Sequence, residues 1–341
     1  MSKNLLLTGG AGFIGHKSLD EILKNTDWKI KVIDRLSYAG DLNRIKEVLD
    51  LYEKPTQQRV EFIYHDLKAP FNRDQINQLA NINYILHIGA SSHVTRSVQN
   101  PETFIQDNIV GTFNLLEFAR VLKNLEIFYY FSTDEVFGPS YKADKFKEWD
   151  RYNSKNPYSA SKAAGEELSV AYENTYGIPV IISHCCNVYG WRQHSEKYIP
   201  NTIKKILNKE KIIVHTDKNN VPGSRYYIHN DDLAKSILFI LNNFEKISKE
   251  GIKSNNQPPK VNISGKNLVS NLEIAELISS SLDQEFHYEL KSIDPSRPGH
   301  DIKYGLDNSF LNSLGGVYDR KFNEGLRDTV EWYLKNKDWI K

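Results

Sequence analysis

Cysteine is almost absent from this chain. There are two in 341 residues, Cys185 and Cys186, side by side. Adjacent cysteines form neither a disulfide framework nor a zinc-ligand spacing, so a stapled extracellular domain is excluded and no metal site is expected. They read as two small buried residues at the end of a strand, and a reducing, cytoplasmic setting fits them best. Net charge is lacking as well. Lys and Arg number 44 against 43 Asp and Glu, a balance of +1. That leaves no long-range field for nucleic acid or an acidic membrane, so neither is an expected partner. Basic pairs such as Lys204-Lys205 read as solvated helix faces. No apolar run reaches the roughly 18–20 residues of a membrane span. A strand begins within a few residues of Met1, so no signal peptide is expected. Repeats and low-complexity tracts are missing too. The clearest loop is Ser248 to Lys260, with Gly251, Asn255-Asn256 and Pro258-Pro259.

What is present is a chain 40% hydrophobic and 26% charged, the balance of a globular protein with a sizeable core. Short apolar runs recur at Leu5–Leu7, Lys29–Ile33, Val60–Ile63, Tyr84–Ile88, Leu125–Phe131 and Pro179–Ile182. Each reads as a buried strand. Helical patterns separate them, including Pro101–Lys123 and Ser159–Tyr176. Alternating strands and helices imply an α/β fold, a Rossmann-type doubly wound parallel sheet with ligands at the carboxyl ends of its strands. Residues 1–185 would form this dinucleotide-binding half. The less regular 186–341 would form a smaller, mixed α/β substrate domain, with some exchange of chain between the two. Helices are expected there at Tyr198–Lys209, Asp231–Phe244, Asn271–Leu282 and Glu324–Lys335. Strand-like pieces fall at Ile212–Val214, Lys260–Ile263 and Phe286–Leu290.

The first strand runs into Thr8-Gly9-Gly10-Ala11-Gly12-Phe13-Ile14-Gly15. Glycines at this spacing tighten the turn, let backbone approach a pyrophosphate and let the next helix pack closely. The helix N-terminus adds partial positive charge for phosphate. Asp34 ends the second strand about 20 residues later, where a carboxylate grips a ribose diol. It favours NAD, because it repels the 2′-phosphate of NADP; Arg35 beside it cannot remove that repulsion. Small residues after the fourth strand (Ile88, Gly89, Ala90, Ser91) let a cofactor lie across the strand ends. Asp66 and Leu67 follow the third strand.

Chemistry concentrates in Ser132-Thr133-Asp134-Glu135 after the fifth strand, and in Tyr158-Ser159-Ala160-Ser161-Lys162. In a helix, Tyr158 and Lys162 lie one turn apart on one face. A hydroxyl, two carboxylates, a tyrosine and a lysine supply both a hydride-transfer site and an acid/base pair. Polar and aromatic residues of the second half cluster in its connections. Among them, arginines can hold a diphosphate bidentately.

These runs resemble the extended short-chain dehydrogenase/reductase superfamily, and within it the nucleotide-sugar 4,6-dehydratases of the dTDP-glucose type. Leu36–Gly40, Ser92-His93-Val94, Asn108–Thr112, Asn156–Lys162 and Arg297–Asp301 carry the resemblance together with Thr133-Asp134-Glu135. Related epimerases have the tyrosine and lysine but typically lack the Asp-Glu pair. The resemblance implies an NAD-dependent hydro-lyase acting on a nucleotide-sugar substrate, and a homodimer joined through a four-helix bundle. It also implies a cofactor set that takes in Ser37, Tyr38, Asp66, Leu67 and Val188. It makes Tyr158 the base for the sugar 4-hydroxyl and Lys162 the partner of the nicotinamide ribose. Thr133 would bond the 4-hydroxyl region, Asp134 would protonate the departing 6-hydroxyl, and Glu135 would remove the C5 proton. It places Ser92, His93, Ser132, Asn187, Lys197, Tyr198, Ile199, Pro200, Val214, Arg225, Asn262, Arg297, His300 and Tyr304 around the substrate. Departures occur at Ser91, where the family usually has Glu, at Thr95 for Asp, at Tyr227 for Trp and at Cys186 for Ser; they leave the nucleobase open. The competing readings are a 4-epimerase or decarboxylase on the same fold, and a non-catalytic NAD-binding sensor.

Overall fold

The computed structural model describes residues 2–140, 145–251, 257–292, 304–318 and 320–340. In chain order the strands are β1 (Asn4–Thr8), β2 (Lys29–Asp34), β3 (Val60–Tyr64), β4 (Tyr84–His87), β5 (Ile127–Phe131), β6 (Val180–Cys185), β7 (Asn187–Tyr189), β8 (Ile212–Thr216), β9 (Ser224–His229), β10 (Lys260–Ile263), β11 (Leu268–Ser270) and β12 (Tyr288–Ser292). Seven of them form one parallel sheet in the order β10-β6-β5-β4-β1-β2-β3. β1, β4 and β5 lie inside this sheet with helices on both faces. Their residues are apolar without alternation for that reason, and Leu5, Leu6 and Leu7 are all fully buried. Helices Phe13–Asn25 and Asn230–Asn242 pack together on one face. Gly111–Val121 and Pro157–Tyr176 pack together on the other.

Two features differ from the sequence reading. The expected helix over 101–123 contains a π-turn at Ile105–Val110, between Pro101–Phe104 and Gly111–Val121. The wider turn holds two buried polar residues, Asp107 and Asn108, and both are used at the strand ends. The loop expected from Ser248 begins later, since helix Phe244–Glu250 runs through Ser248 and Lys249. Residues 252–256 of that loop lie outside the described residues.

The edge strand β10 comes from far beyond residue 185 and pairs with β6 from Lys260↔Ile182 to Ile263↔Cys185. The second half otherwise contributes small sheets, β11-β9-β7 and β12-β8. These close over a separate apolar cluster that includes Ile203, Val214, Ile274, Val330 and Tyr333.

Candidate active site

One cavity of about 780 Å³ runs along the carboxyl ends of the sheet and into the second half. At one end Gly9, Gly12, Phe13, Ile14 and Gly15 line it. A Cβ on Gly9 would sit 2.7 Å from Gly89 Cα, and one on Gly15 would sit 2.1 Å from the Gly9 carbonyl oxygen. Only glycine fits either position. Gly12 caps the following helix without any side-chain bond, so the first-turn N–H groups face the cavity as an anion cradle. Asp34 Oδ2 accepts from Ala11 N at 3.1 Å and Oδ1 from Leu36 N at 2.8 Å. Burial pushes this carboxyl up, while the two N–H groups pull it down. These residues form a dinucleotide-shaped cradle into which NAD fits.

Arg35 is held by two carboxylates. Its guanidinium donates to Asp107 Oδ1 at 2.7 Å and lies 3.3 Å from Asp66 Oδ2. Asn108 bonds the backbone of Ser91 both ways, accepting from its N at 2.7 Å and donating to its O at 3.0 Å. The π-turn thus fixes the ends of β2 and β4 together. Ser37, Leu67, Ile88, Ala90 and Val188 also line this part of the cavity. Along the wall, Tyr38 OH donates to Ser92 O at 3.0 Å, and the Arg96 guanidinium covers the Tyr38 ring at 3.9 Å. Arg96 also reaches Glu196 at 3.0 Å. This strap joins loops from both halves of the chain.

Thr133, Asp134, Glu135, Tyr158 and Lys162 meet on the cavity floor. The strand β5 ends at Phe131, and Thr133 then caps a short 3-10 turn, Asp134–Phe137, its Oγ accepting from Glu135 N at 3.3 Å. The same hydroxyl donates to Asp134 Oδ1 at 3.1 Å. Asn156 caps the Pro157–Tyr176 helix through Ser159 N, and its Nδ2 donates to Glu135 Oε2 at 3.1 Å. One residue therefore sets both the start of the Tyr-Lys helix and the aim of Glu135. Burial, then the Glu135 charge, pushes the Asp134 carboxyl up to about 7; Arg225 and the Thr133 hydroxyl pull the other way. Burial and Glu135 also raise the Tyr158 phenol well above its ordinary value, against a Thr133 hydrogen bond. Burial lowers the Lys162 ammonium to about 7, with the Glu166 carboxylate opposing.

Ser92, His93, Ser132, Asn187, Lys197, Tyr198, Arg225 and Tyr304 line the remaining cavity as expected. Arg225 lies over the Tyr304 ring at 4.8 Å. Other expected contacts do not reach it. Ile199 and Pro200 are buried in the first turn of helix Tyr198–Leu207, and Val214 is fully buried among Ile203, Ile274 and Val330. Strand alternation sends Ile213 and His215, not Val214, to the cavity. Asn262 is fully buried and spent on structure: its Oδ1 meets His184 Nδ1 at 2.9 Å, and its Nδ2 donates to Phe146 O and Asp307 O. Arg297 and His300 lie outside the described residues. Sequence reading missed Asn156, Asn201, Lys205, His215 and Asn271. It also missed Arg44, which ties Ala11 O, Ala39 O and Arg192 O together. Asn156 alone had a local signal, an Asn-Pro pair at a helix start. Among the described residues no group of His, Cys, Asp and Glu is placed to hold a metal, and no helix is long and apolar enough to cross a membrane.

The parallel sheet, the glycine cradle and the Tyr-x-x-x-Lys helix beside Thr133-Asp134-Glu135 define an extended short-chain dehydrogenase/reductase. Residues 6–329 match the family model of GDP-mannose 4,6 dehydratase, and the chain belongs to that family. It is 34% identical to dTDP-glucose 4,6-dehydratase of Neisseria gonorrhoeae, over 98% of this chain and 96% of the relative. It is 33% identical to a probable dTDP-glucose 4,6-dehydratase of Sinorhizobium fredii, over 98% and 94%. Among solved structures, the dTDP-glucose 4,6-dehydratase DesIV from Streptomyces venezuelae, crystallised with NAD bound, superposes with a TM-score of 0.83 at 29% identity, covering 99% of each chain. A UDP-glucuronic acid 4-epimerase from Bacillus cereus has the same fold, with a TM-score of 0.83 at 24% identity over 98% and 99%.

Proposed function

We propose that this protein is an NAD-dependent hydro-lyase that converts a nucleoside-diphosphate glucose to its 4-keto-6-deoxy derivative. The observation that carries the reading is a buried carboxyl, Asp134, adjoining a second carboxylate, Glu135, and the Tyr158–Lys162 helix in one cavity. Cofactor would lie on Gly9, Gly12, Gly15 and Asp34, where NAD supplies a reversible hydride acceptor. Tyr158 takes the proton of the sugar 4-hydroxyl, and Thr133 bonds that hydroxyl. Lys162, one turn along, supplies the nearby cation a phenol needs to act as a base near neutral pH. Once C4 is a ketone, loss of the C5 proton gives an enolate, so Glu135 is basic enough to remove it. Asp134, still protonated near neutral pH, delivers its proton to the departing 6-hydroxyl, which leaves as water; the hydride taken from C4 would then return to C6 and a solvent-derived proton to C5, which completes the 4-keto-6-deoxy product. An epimerase needs no such acid/base pair, and the pair argues for elimination. Arg225 and Lys197 supply positive charge for the diphosphate. Thymine is the base we favour, from the named activity of the relatives. A homodimer in the cytoplasm completes the reading.

The test has two parts. Glu135→Gln leaves Tyr158, Lys162 and the cradle in place, so C4 oxidation should persist while elimination slows by roughly 10²–10⁴-fold. Near-ultraviolet absorbance of reduced nicotinamide should then accumulate on adding substrate. With substrate deuterated at C4, the wild-type product should carry deuterium at C6 and solvent hydrogen at C5. Deuterium lost to solvent or retained at C4 would defeat the reading. Running dTDP-, UDP- and CDP-glucose side by side decides the base.

A further inference from the structure

Beneath the catalytic floor lies a charged cluster that the reaction above does not use. Glu166 sits four residues after Lys162 on the Pro157–Tyr176 helix and is fully buried. Its Oε1 accepts from Ser132 Oγ. Its Oε2 accepts from Tyr152 OH and lies 3.0 Å from His184 Nε2 and 3.4 Å from Lys260 Nζ. Lys260 also donates to Tyr152 OH and lies 4.0 Å above the Trp149 ring. The orientation of Asn262 decides how His184 bonds. Asn262 Nδ2 is spent on two carbonyl oxygens, so its Oδ1 faces His184 Nδ1, which must donate. Nε2 faces a carboxylate and must donate as well. One buried carboxylate therefore gathers a lysine, a histidine and two hydroxyls. They come from the end of β5, from β6, from β10 and from the segment before the helix.

Stability alone does not account for the cluster, since exchanging a buried ion pair for well-packed apolar groups is often neutral. It adjoins the site at two points. Ser132 is the residue before Thr133, and its backbone N is also fixed by Ser183 O at 2.7 Å. Lys162 lies one turn before Glu166, over the Tyr130 ring at 4.2 Å, with the Tyr130 hydroxyl donating to the Lys162 carbonyl at 3.1 Å. The groups facing Lys162 are Glu166 and Tyr158 on its own helix, Tyr130 on β5, His87 on β4, and Asp134 and Glu135 across the cavity. Of these, Glu166 is the carboxylate whose charge acts on the ammonium.

We infer that Glu166 is a positioning residue for the reaction: bonded to Ser132 beside Thr133 and set one helical turn from Lys162, it ties the end of β5 to the Tyr-Lys helix and places its charge one turn from the Lys162 ammonium. The inference rests on the dehydratase reading for its kinetic consequence and on geometry for its effect on Lys162. Two variants test it in the NAD-loaded full chain: Glu166→Gln, and Glu166→Gln with Lys260→Met, which removes both charges and guards against a folding failure. Thermal melting identifies the folded variant to use. The expected result is a kcat lowered by up to about 10²-fold, as for a small misplacement of catalytic groups, with KM for nucleotide sugar nearly unchanged. In ¹⁵N-lysine spectra, with the Lys162 signal assigned through Lys162→Arg, Lys162 should titrate about one pH unit lower or more. Glu166→Asp, which restores the charge, should recover part of the titration. An unchanged kcat and an unchanged Lys162 titration in a folded variant overturn the inference. So does a fall in kcat with no change in the titration, since that is a merely structural loss. Should the wild type turn over no nucleotide sugar, the dehydratase reading fails, and the Lys162 titration alone decides the role of Glu166.

Discussion

Asp134 and Glu135 share a turn but not an environment. Asp134 is buried and answers to its neighbour's charge, whereas Glu135 is fixed by Asn156. With Asp134 held near 7, the acid form predominates below that pH and is lost as pH rises through it. Rapid-quench measurement of the elimination step should therefore show an alkaline fall near pH 7. Asp134→Asn should abolish that fall and slow elimination by roughly 10²–10⁴-fold. Arg35 gives a second expectation. Its guanidinium is held by Asp107 and Asp66, which leaves it less able to bind a 2′-phosphate. Asp107→Asn should narrow the preference for NAD over NADP, read as the ratio of dissociation constants. Glu166 gives a third. Its carboxyl is lowered to about 2, chiefly through His184 and Lys260 acting against burial. A depressed acid stabilises the fold above its unfolded pKa and loses that contribution as pH falls through the folded value. The contribution should be complete above roughly pH 4.5 and gone near pH 2, on the order of 3 kcal/mol. Denaturant unfolding at pH 7 and pH 3 should differ more for wild type than for Glu166→Gln.

At the scale of elements, what the sequence disclosed followed the range of the forces involved. Strands β1, β4, β5 and β6 were legible because burial on both faces makes them nearly continuous buried runs, while β2 and β3 toward the sheet edge are only partly buried and carry charged residues among their apolar ones. The residues proposed to be catalytic were legible because Thr133–Glu135 and Tyr158–Lys162 are each set within one turn. The π-turn was not, since nothing in Ile105–Val110 breaks the helical pattern; its cause is tertiary, the pull of Asp107 toward Arg35 and of Asn108 toward Ser91. The nucleotide end was least legible. Val214 and Asn262 sit in motifs near the cavity, yet strand alternation and a buried histidine turn their side chains elsewhere. Helix placement also yields a prediction. A Cβ on Gly165 would lie 2.2 Å from Tyr130 Oη, beneath Lys162. Gly165→Ala should push the Pro157–Tyr176 helix off β5, costing about 1–3 kcal/mol in denaturant unfolding. It should reduce kcat more than KM.

Across the whole molecule, apolar side chains stay exposed along one helical segment: Ile105, Phe113 and Val121, with Val98 before it and Tyr176 at the end of the helix packed beside it. In the homodimer we propose, a second copy of the chain would cover them, and Phe113→Asp should then shift light scattering toward the monomer mass without altering β-sheet circular dichroism. The seven-stranded sheet carries a different consequence, for how the chain is made. β10 is separated from its neighbour β6 by some seventy residues, yet it pairs along β6, every residue of which is buried. A ribosome delivers residues in order, so a nascent chain that has emerged only to Cys185 presents six strands with one open apolar edge. Such an edge is a template for pairing with other chains. A fragment ending at residue 185 should therefore aggregate when expressed alone, and the nascent protein is most in need of a chaperone during synthesis of the stretch between β6 and Ile263.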